Sequence, residues 1–351
     1  MSVPATFGKF LTKWLELKKV WAWSLVGLFL LGLAIAQGCG LVSQAERPLR
    51  LGLPIACQLN RDCFILSYPD RDPGPPAVDF GCGRMTNDGH QGTDFAIPNL
   101  QVMAQGVPVQ AAAAGKVLRI RDGVPDRRID EPLDESAIQG TECGNGLVID
   151  HGNGWETQYC HLRQNSLAVK PGDEVGKGTV LGLVGMSGLA SFPHVHLTVR
   201  YQGQVVDPFV GTAAGPGCQV DPQPLWENFL SYVPTGVIRA GFAQQPPQLK
   251  ELWEGAFEDN QLPAEIPALV FWVHLYGVLQ GDEEYIQLIA PNGQLVVNQR
   301  RTLSTSSRVW MAYAGKRNRS QTLTPGKWQG KYQLVRGKQT LIDWQQEVLL
   351  Q

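Results

Sequence analysis

The chain has 351 residues, enough for two domains that each bury a core, and its 39 Gly and 24 Pro with few long helical patterns favour turn-rich β architecture over helix bundles. Its 30 Lys and Arg oppose 32 Asp and Glu, for a net charge of -2. No global attraction to a polyanion follows, which argues against nucleic acid as a partner.

The first predicted element is the apolar segment Val20 to Ala36, VWAWSLVGLFLLGLAIA. It offers about 17 uncharged positions, near the lower limit for a bilayer span. Lys9, Lys13, Lys18 and Lys19 precede it, so the positive-inside bias keeps the N-terminus cytoplasmic and exports everything after residue 45. Three outcomes stay open: an uncleaved membrane anchor, cleavage after Ala34-Ile35-Ala36, or lipid attachment at Cys39. Each makes the rest of the chain extracytoplasmic. Cysteine usage agrees, since seven are present and six remain when Cys39 is set aside. Cys57 and Cys63 enclose only QLNRD and read as a local bridge.

Residues 46–82 are Pro-rich and irregular, a stapled lead-in. A Gly-punctuated β region follows over 83–212, with strands at VPVQAAAAGKVLRI, GLVIDHGNGWETQYCHL, TVLGLVGMSG and PHVHLTVR. The charged stretch RDGVPDRRIDEPLDESAIQGTE interrupts it, either as a solvated insertion or as a wall of a groove. Composition shifts to Pro, Gln and Trp over 213–257, a linker with two short helix-like patterns at PLWENFLSYV and PQLKELWEGAF. Residues 258–351 then give about six or seven strands separated by turn signals such as Asn292-Gly293, the spacing of an immunoglobulin-like β-sandwich.

Within the β region, SFPHVHLTVR places His194 and His196 two apart on a strand, so both side chains leave the same face. A single histidine on an apolar strand is commonly a packed residue. A pair makes half of a metal site, provided further ligands exist. DGHQGTDFAIP supplies His90 and Asp94 at an even separation, and the strand returning from the Gly152-Asn153-Gly154 turn supplies His161. Two imidazoles and a carboxylate compose a tetrahedral zinc site with one position open, and the other two histidines could act on water and on a developing oxyanion. His151 at the turn reads as structural or exposed. His274, among Trp272, Val273 and Leu275, reads as a packed strand residue.

Two other nucleophiles are weighed. Cys160 adjoins His161, but neighbouring strand residues face opposite ways, and the hairpin register sets Cys160 near Cys143, where a bridge is expected. That leaves Cys82 and Cys218 as the third pair, one connectivity of the 15 that six cysteines allow. VGMSGLA lacks the G-x-S-x-G spacing, because Leu189 stands at the last glycine position.

With GHQGTD, IDHGNGWETQYCHL, VKPGDEVGKGTVLGLVGMSG and FPHVHL in this order, spanning residues 83–210, the chain resembles the lysostaphin-like or LytM-like zinc peptidases. The resemblance implies a compact β-sheet peptidase domain with a substrate groove. It implies zinc held by His90, Asp94 and His196, with catalytic roles for His161 and His194 that could be exchanged. The implied substrates are peptide cross-links of bacterial peptidoglycan, cut by metal-assisted hydrolysis on the periplasmic side of the envelope. Members of the family often carry Glu two residues after the last ligand, where this chain has Thr198, which puts the tuning of that ligand in question. Some relatives have lost ligands and activate other wall hydrolases, so a non-catalytic wall-binding regulator is the alternative. The retention of all five groups favours an enzyme, with the C-terminal domain free to engage the wall or a protein partner.

Overall fold

Alternation of apolar and polar positions builds the sheet on which these residues lie. The computed structural model describes residues 49–129, 138–212, 215–319 and 322–351, so the apolar segment Val20 to Ala36 and its three fates fall outside the described residues. Among the described residues, no helix is long and apolar enough to cross a membrane. The first half supplies β1 (Phe64–Ser67), β2 (Thr93–Ala96), helix α1 (Leu100–Gln105), β3 (Pro108–Gln110), β4 (Gly115–Arg121), β5 (Asn145–Gly152) and β6 (Trp155–Leu162). It continues with β7 (Glu174–Val175), β8 (Val180–Leu183), β9 (His194–Tyr201) and β10 (Gln204–Val206). Antiparallel pairing orders the main sheet β1-β2-β9-β6-β5-β4-β7 with β10 beside β9, while β3 and β8 pair separately.

Val195, Leu197 and Val199 of β9 lie in the core with Tyr159 of β6 and Leu147 and Ile149 of β5. The two-residue period therefore gives His194, His196 and Thr198 the opposite face. β5 turns into β6 through Asn153 (φ 52°) and Gly154 (φ 80°). Two consecutive left-handed residues match the twist of a tight hairpin.

The second half supplies β11 (Gly236–Ala243), helix α2 (Leu249–Glu254), β12 (Gln261–Leu262), β13 (Ala268–Val278), β14 (Glu283–Ile289), β15 (Leu295–Thr302), β16 (Ser307–Arg317), β17 (Gly326–Arg336) and β18 (Gln339–Leu350). These form a three-stranded sheet, β11-β13-β16, and a five-stranded sheet, β12-β18-β17-β14-β15. One apolar cluster joins them, with Phe271, Val273 and Leu275 of β13 against Trp328, Tyr332 and Leu334 of β17. The fold is therefore mainly β, a peptidase-type sheet followed by a β-sandwich.

Three features differ from the sequence reading. The stretch 46–82 is no separate lead-in, because β1 is the edge strand of the main sheet and Leu51, Ile55 and Phe64 are in its core. PLWENFLSYV is extended rather than helical. Leu51 N–H donates to the Leu225 carbonyl and Glu227 N–H donates to the Leu51 carbonyl, both at 2.9 Å, so the backbone groups a helix would use are taken. The linker also contains β11, whose two glycines and irregular burial hide its period. PQLKELWEGAF does contain α2, closed by left-handed Gly255. All three expected disulfides are present, Cys57–Cys63, Cys82–Cys218 and Cys143–Cys160.

Candidate active site

The pairing of β2 with β9 places Asp94 opposite His196 and Ala96 opposite His194. Residues 102 apart in sequence thus meet through strand register, and His196 Nδ1 lies 2.8 Å from Asp94 Oδ1. His90, in the turn before β2, donates from Nδ1 to the Tyr68 carbonyl at 2.8 Å, which aims Nε2 at Asp94 Oδ2, 3.2 Å away. One atom each from His90, Asp94 and His196 lies within 4.8 Å of the other two. Two imidazoles and a carboxylate, without thiolate, suit a divalent metal with a coordination position left open.

The remaining pair adjoins this group. His194 donates from Nδ1 to the Phe192 carbonyl at 2.8 Å and points Nε2 toward Asp94 Oδ1, 3.7 Å away. His161, at the end of β6, donates from Nδ1 to the Ser187 carbonyl at 2.8 Å, and its ring centre is 4.6 Å from that of His194. All five sequence-predicted residues line one cavity of about 770 Å³. Burial works against the Asp94 charge, yet His90 and then His194 hold its pKa well below the ordinary carboxylate range. Burial first, then the His194 and His196 rings, push His161 well below the ordinary imidazole value. Burial lowers His194 as well, against the opposing pull of Asp94. Burial would also lower His90, but the Asp94 charge and its hydrogen bond leave that ring's pKa raised.

His161 has φ 63°, so the alternation of β6 breaks there, and Cys160 and His161 line the same cavity. Opposite facing therefore does not separate them. Cys160 is unavailable as a nucleophile because it is bonded to Cys143. Ser187 is occupied too: its hydroxyl donates to the Leu162 carbonyl at 2.7 Å and accepts from Asn145 N–H at 2.9 Å. Of the charged stretch, Ile129 and Glu142 line the cavity, so its described ends form a wall of the groove. His151 and His274 stand apart. The first has Nδ1 2.7 Å from the Ala114 carbonyl and Nε2 2.7 Å from Thr157 Oγ1, and the second is wholly buried in the sandwich.

The sequence reading singled out Thr198 without a contact for it, and left Gly92 and Arg308 unread. Thr198 Oγ1 is 2.9 Å from His196 Nε2 and so orients that ring. Gly92 leaves room for the same ring, since a Cβ there would stand 2.4 Å from His196 Nε2 and 2.7 Å from the Leu197 carbonyl. The even spacing from His196 to Thr198 was a usable signal for the first. Arg308, which enters from the sandwich, had none.

The profile of peptidase family M23 matches residues 88–208, the span that carries all five groups. The chain carries an M23 peptidase domain. Peptidoglycan DD-endopeptidase ShyA of Vibrio cholerae is 33% identical to this chain over 118 residues, 34% of this chain and 22% of that protein. DD-carboxypeptidase/endopeptidase Mpg of Neisseria meningitidis is 35% identical over 121 residues, 34% of this chain and 22% of the relative. The cell division protein DipM of Caulobacter vibrioides is 32% identical over 120 residues, 34% and 17% of the two chains. The chain thus spans about a fifth of the length of these curated relatives. Among solved structures, the catalytic domain of the M23 protein EnpA from Enterococcus faecalis aligns with TM-score 0.30 and 23% identity, covering 46% of this chain and 94% of that one. The lysostaphin catalytic domain from Staphylococcus simulans aligns with TM-score 0.26 and 23% identity, covering 40% and 85%.

Proposed function

We propose that this protein is a zinc-dependent endopeptidase that hydrolyses peptide bonds in the stem or cross-bridge peptides of peptidoglycan, on the extracytoplasmic side of a bacterial envelope. The observation that carries the proposal is the convergence of His90, Asp94, His196, His161 and His194 on one cavity. In this reading His90 Nε2, an Asp94 oxygen and His196 Nδ1 would hold the ion, each placed by a hydrogen bond or strand register already described. Bound zinc would supply Lewis acidity, lowering the pKa of a bound water to about 7 and polarising a carbonyl.

The chain's own groups then move the protons. His161 and His194 are both buried and hold low pKa values, so each is neutral near pH 7 and able to accept a proton at Nε2. We assign the water-activating role to His194, the nearer to Asp94, and the leaving-amine or oxyanion role to His161. The relatives named as peptidoglycan endopeptidases support the substrate class, and three disulfides support an oxidising compartment. The organisation we propose places the chemistry in 83–212, with 213–257 joining it to the sandwich and contributing β11, and 258–351 supplying the sandwich's other strands. The test is digestion of purified peptidoglycan by the zinc-loaded soluble form, with mass spectrometry of the new termini. New amine and carboxyl termini that vanish in His194→Ala support an endopeptidase. Intact peptides with retained wall binding would instead establish the regulator.

A further inference from the structure

The cavity at the five groups continues past the M23 domain. Ser191, Phe192 and Arg308 also line a second cavity of about 730 Å³, whose remaining wall comes from both the M23 domain and the sandwich. Phe192 ties the two together, stacking on Trp253 of α2 at 5.4 Å on one side and lying 4.6 Å from the His194 ring on the other. Arg308 is the second residue of β16, at the edge of the three-stranded sheet. Its Nη1 donates to Ser67 Oγ at 3.0 Å, and Ser67 is the β1 partner of Asp94. The sandwich thus delivers a guanidinium to the rim of the candidate metal group.

Among the described residues, the charged side chains lining the second cavity are Arg84, Arg128, Arg308 and Arg336, with no carboxylate. Arg336 is held by both oxygens of Asp282 at 2.8 Å, whereas Arg308 forms no ion pair among the described residues. A half-buried guanidinium presents a planar fork of donors that matches a carboxylate, in surroundings where water screens less than at an open surface.

We propose that Arg308 is a specificity-determining residue that binds a free carboxylate of the peptide arm lying in the interdomain cavity. The inference rests on the peptidoglycan-peptidase reading and narrows it: the preferred substrate carries an unamidated carboxylate on the sandwich side of the cut. That carboxylate can be the arm's C-terminus or a side chain, and the chemistry of recognition is the same.

The experiment measures kcat and KM of the zinc-loaded full chain on a cross-linked peptide and on two counterparts, one amidated at the C-terminal carboxylate and one at the side-chain carboxylate. One amidation should cut kcat/KM by about tenfold or more, chiefly through KM, and its identity names the carboxylate bound. In Arg308→Gln the ratio of acid to amide should fall close to one with zinc content unchanged. Arg308→Lys, which keeps the charge without the fork, should give an intermediate ratio. Equal cleavage of all three peptides by the wild type, or a wild-type ratio in both variants, would overturn the inference and leave the peptidase reading standing. If the wild type cleaves none of them, calorimetric binding decides separately. Tighter binding of the acid form that disappears in Arg308→Gln would uphold the carboxylate site while the peptidase reading fails, and equal binding of acid and amide would end both.

Discussion

His196 is held at both ring nitrogens, by Asp94 at Nδ1 and by Thr198 at Nε2, each within 2.9 Å. Replacing Thr198 with Val removes the partner that orients this ring, so zinc affinity should fall by about 10–100-fold in a chelator competition. His90→Ala, Asp94→Ala and His196→Ala should each bring metal well below one per chain by elemental analysis, while His161→Ala and His194→Ala keep the metal and lose turnover. Zinc lost from His194→Ala but retained in His196→Ala would reverse the assignment on β9. Strand alternation made it legible that His194 and His196 share a face, yet the same period applies to both and cannot tell them apart. The distinction lies in register, because Asp94 faces His196 across the β2–β9 pair. At His161 alternation misled, since one left-handed residue turns two successive side chains toward the cavity.

At the scale of elements, the sequence was read best where the period is long and uninterrupted. The strands expected within 258–351 include β13 and β18, whose segments ALVFWVHLYGV and QTLIDWQQEVLL run 11 and 12 residues without a break. It was read worst where the partner is remote, as with Trp226, which bridges to Leu51. The β5–β6 hairpin is closed by Cys143–Cys160, with a sequence separation of 17. Loop-closure entropy for a ring of that size makes the bond worth about 3 kcal/mol, so Cys143→Ser with Cys160→Ser should lower denaturant stability by roughly that amount. Within β13, His274 is wholly buried, neither nitrogen has a hydrogen-bond partner among the described residues, and burial followed by Arg239 lowers its pKa to about 3. Below the unfolded value of about 6.5, the unfolded chain takes up a proton that the folded chain refuses, so this residue's contribution to stability is lost as pH falls toward 3. Between pH 7 and pH 5 the loss should be about 2 kcal/mol in denaturant titrations, and His274→Leu should remove it. An unchanged pH dependence in that variant would show that other groups set the acid limb.

For the whole molecule, Leu49–Gln351 behaves as one compact unit. The core of the main sheet includes Trp226, Ile238, Trp253 and Tyr276, all beyond residue 212, and Phe64 packs against Tyr276 with ring centres 6.0 Å apart. A fragment ending at residue 212 should therefore unfold with a lower midpoint and a broader transition than the full chain, and should bind a hydrophobic dye. A sharp, wild-type transition would mean that the M23 part is self-sufficient. Composition shifts after residue 212, but apolar pairing between segments far apart leaves no local pattern, which is why the joint between the two halves was not legible.

The hydrogen bond from Arg308 to Ser67 spans 241 residues, and the bond from Cys82 to Cys218 spans 136. Because synthesis proceeds at about 5–20 residues per second, the two ends of the longer link are made tens of seconds apart. Once residue 196 has been made, the nascent chain contains every histidine of the M23 motif but not yet the rim arginine. The order of birth thus differs from the order of assembly: the groups for hydrolysis come early, and the wall that would select its substrate comes last.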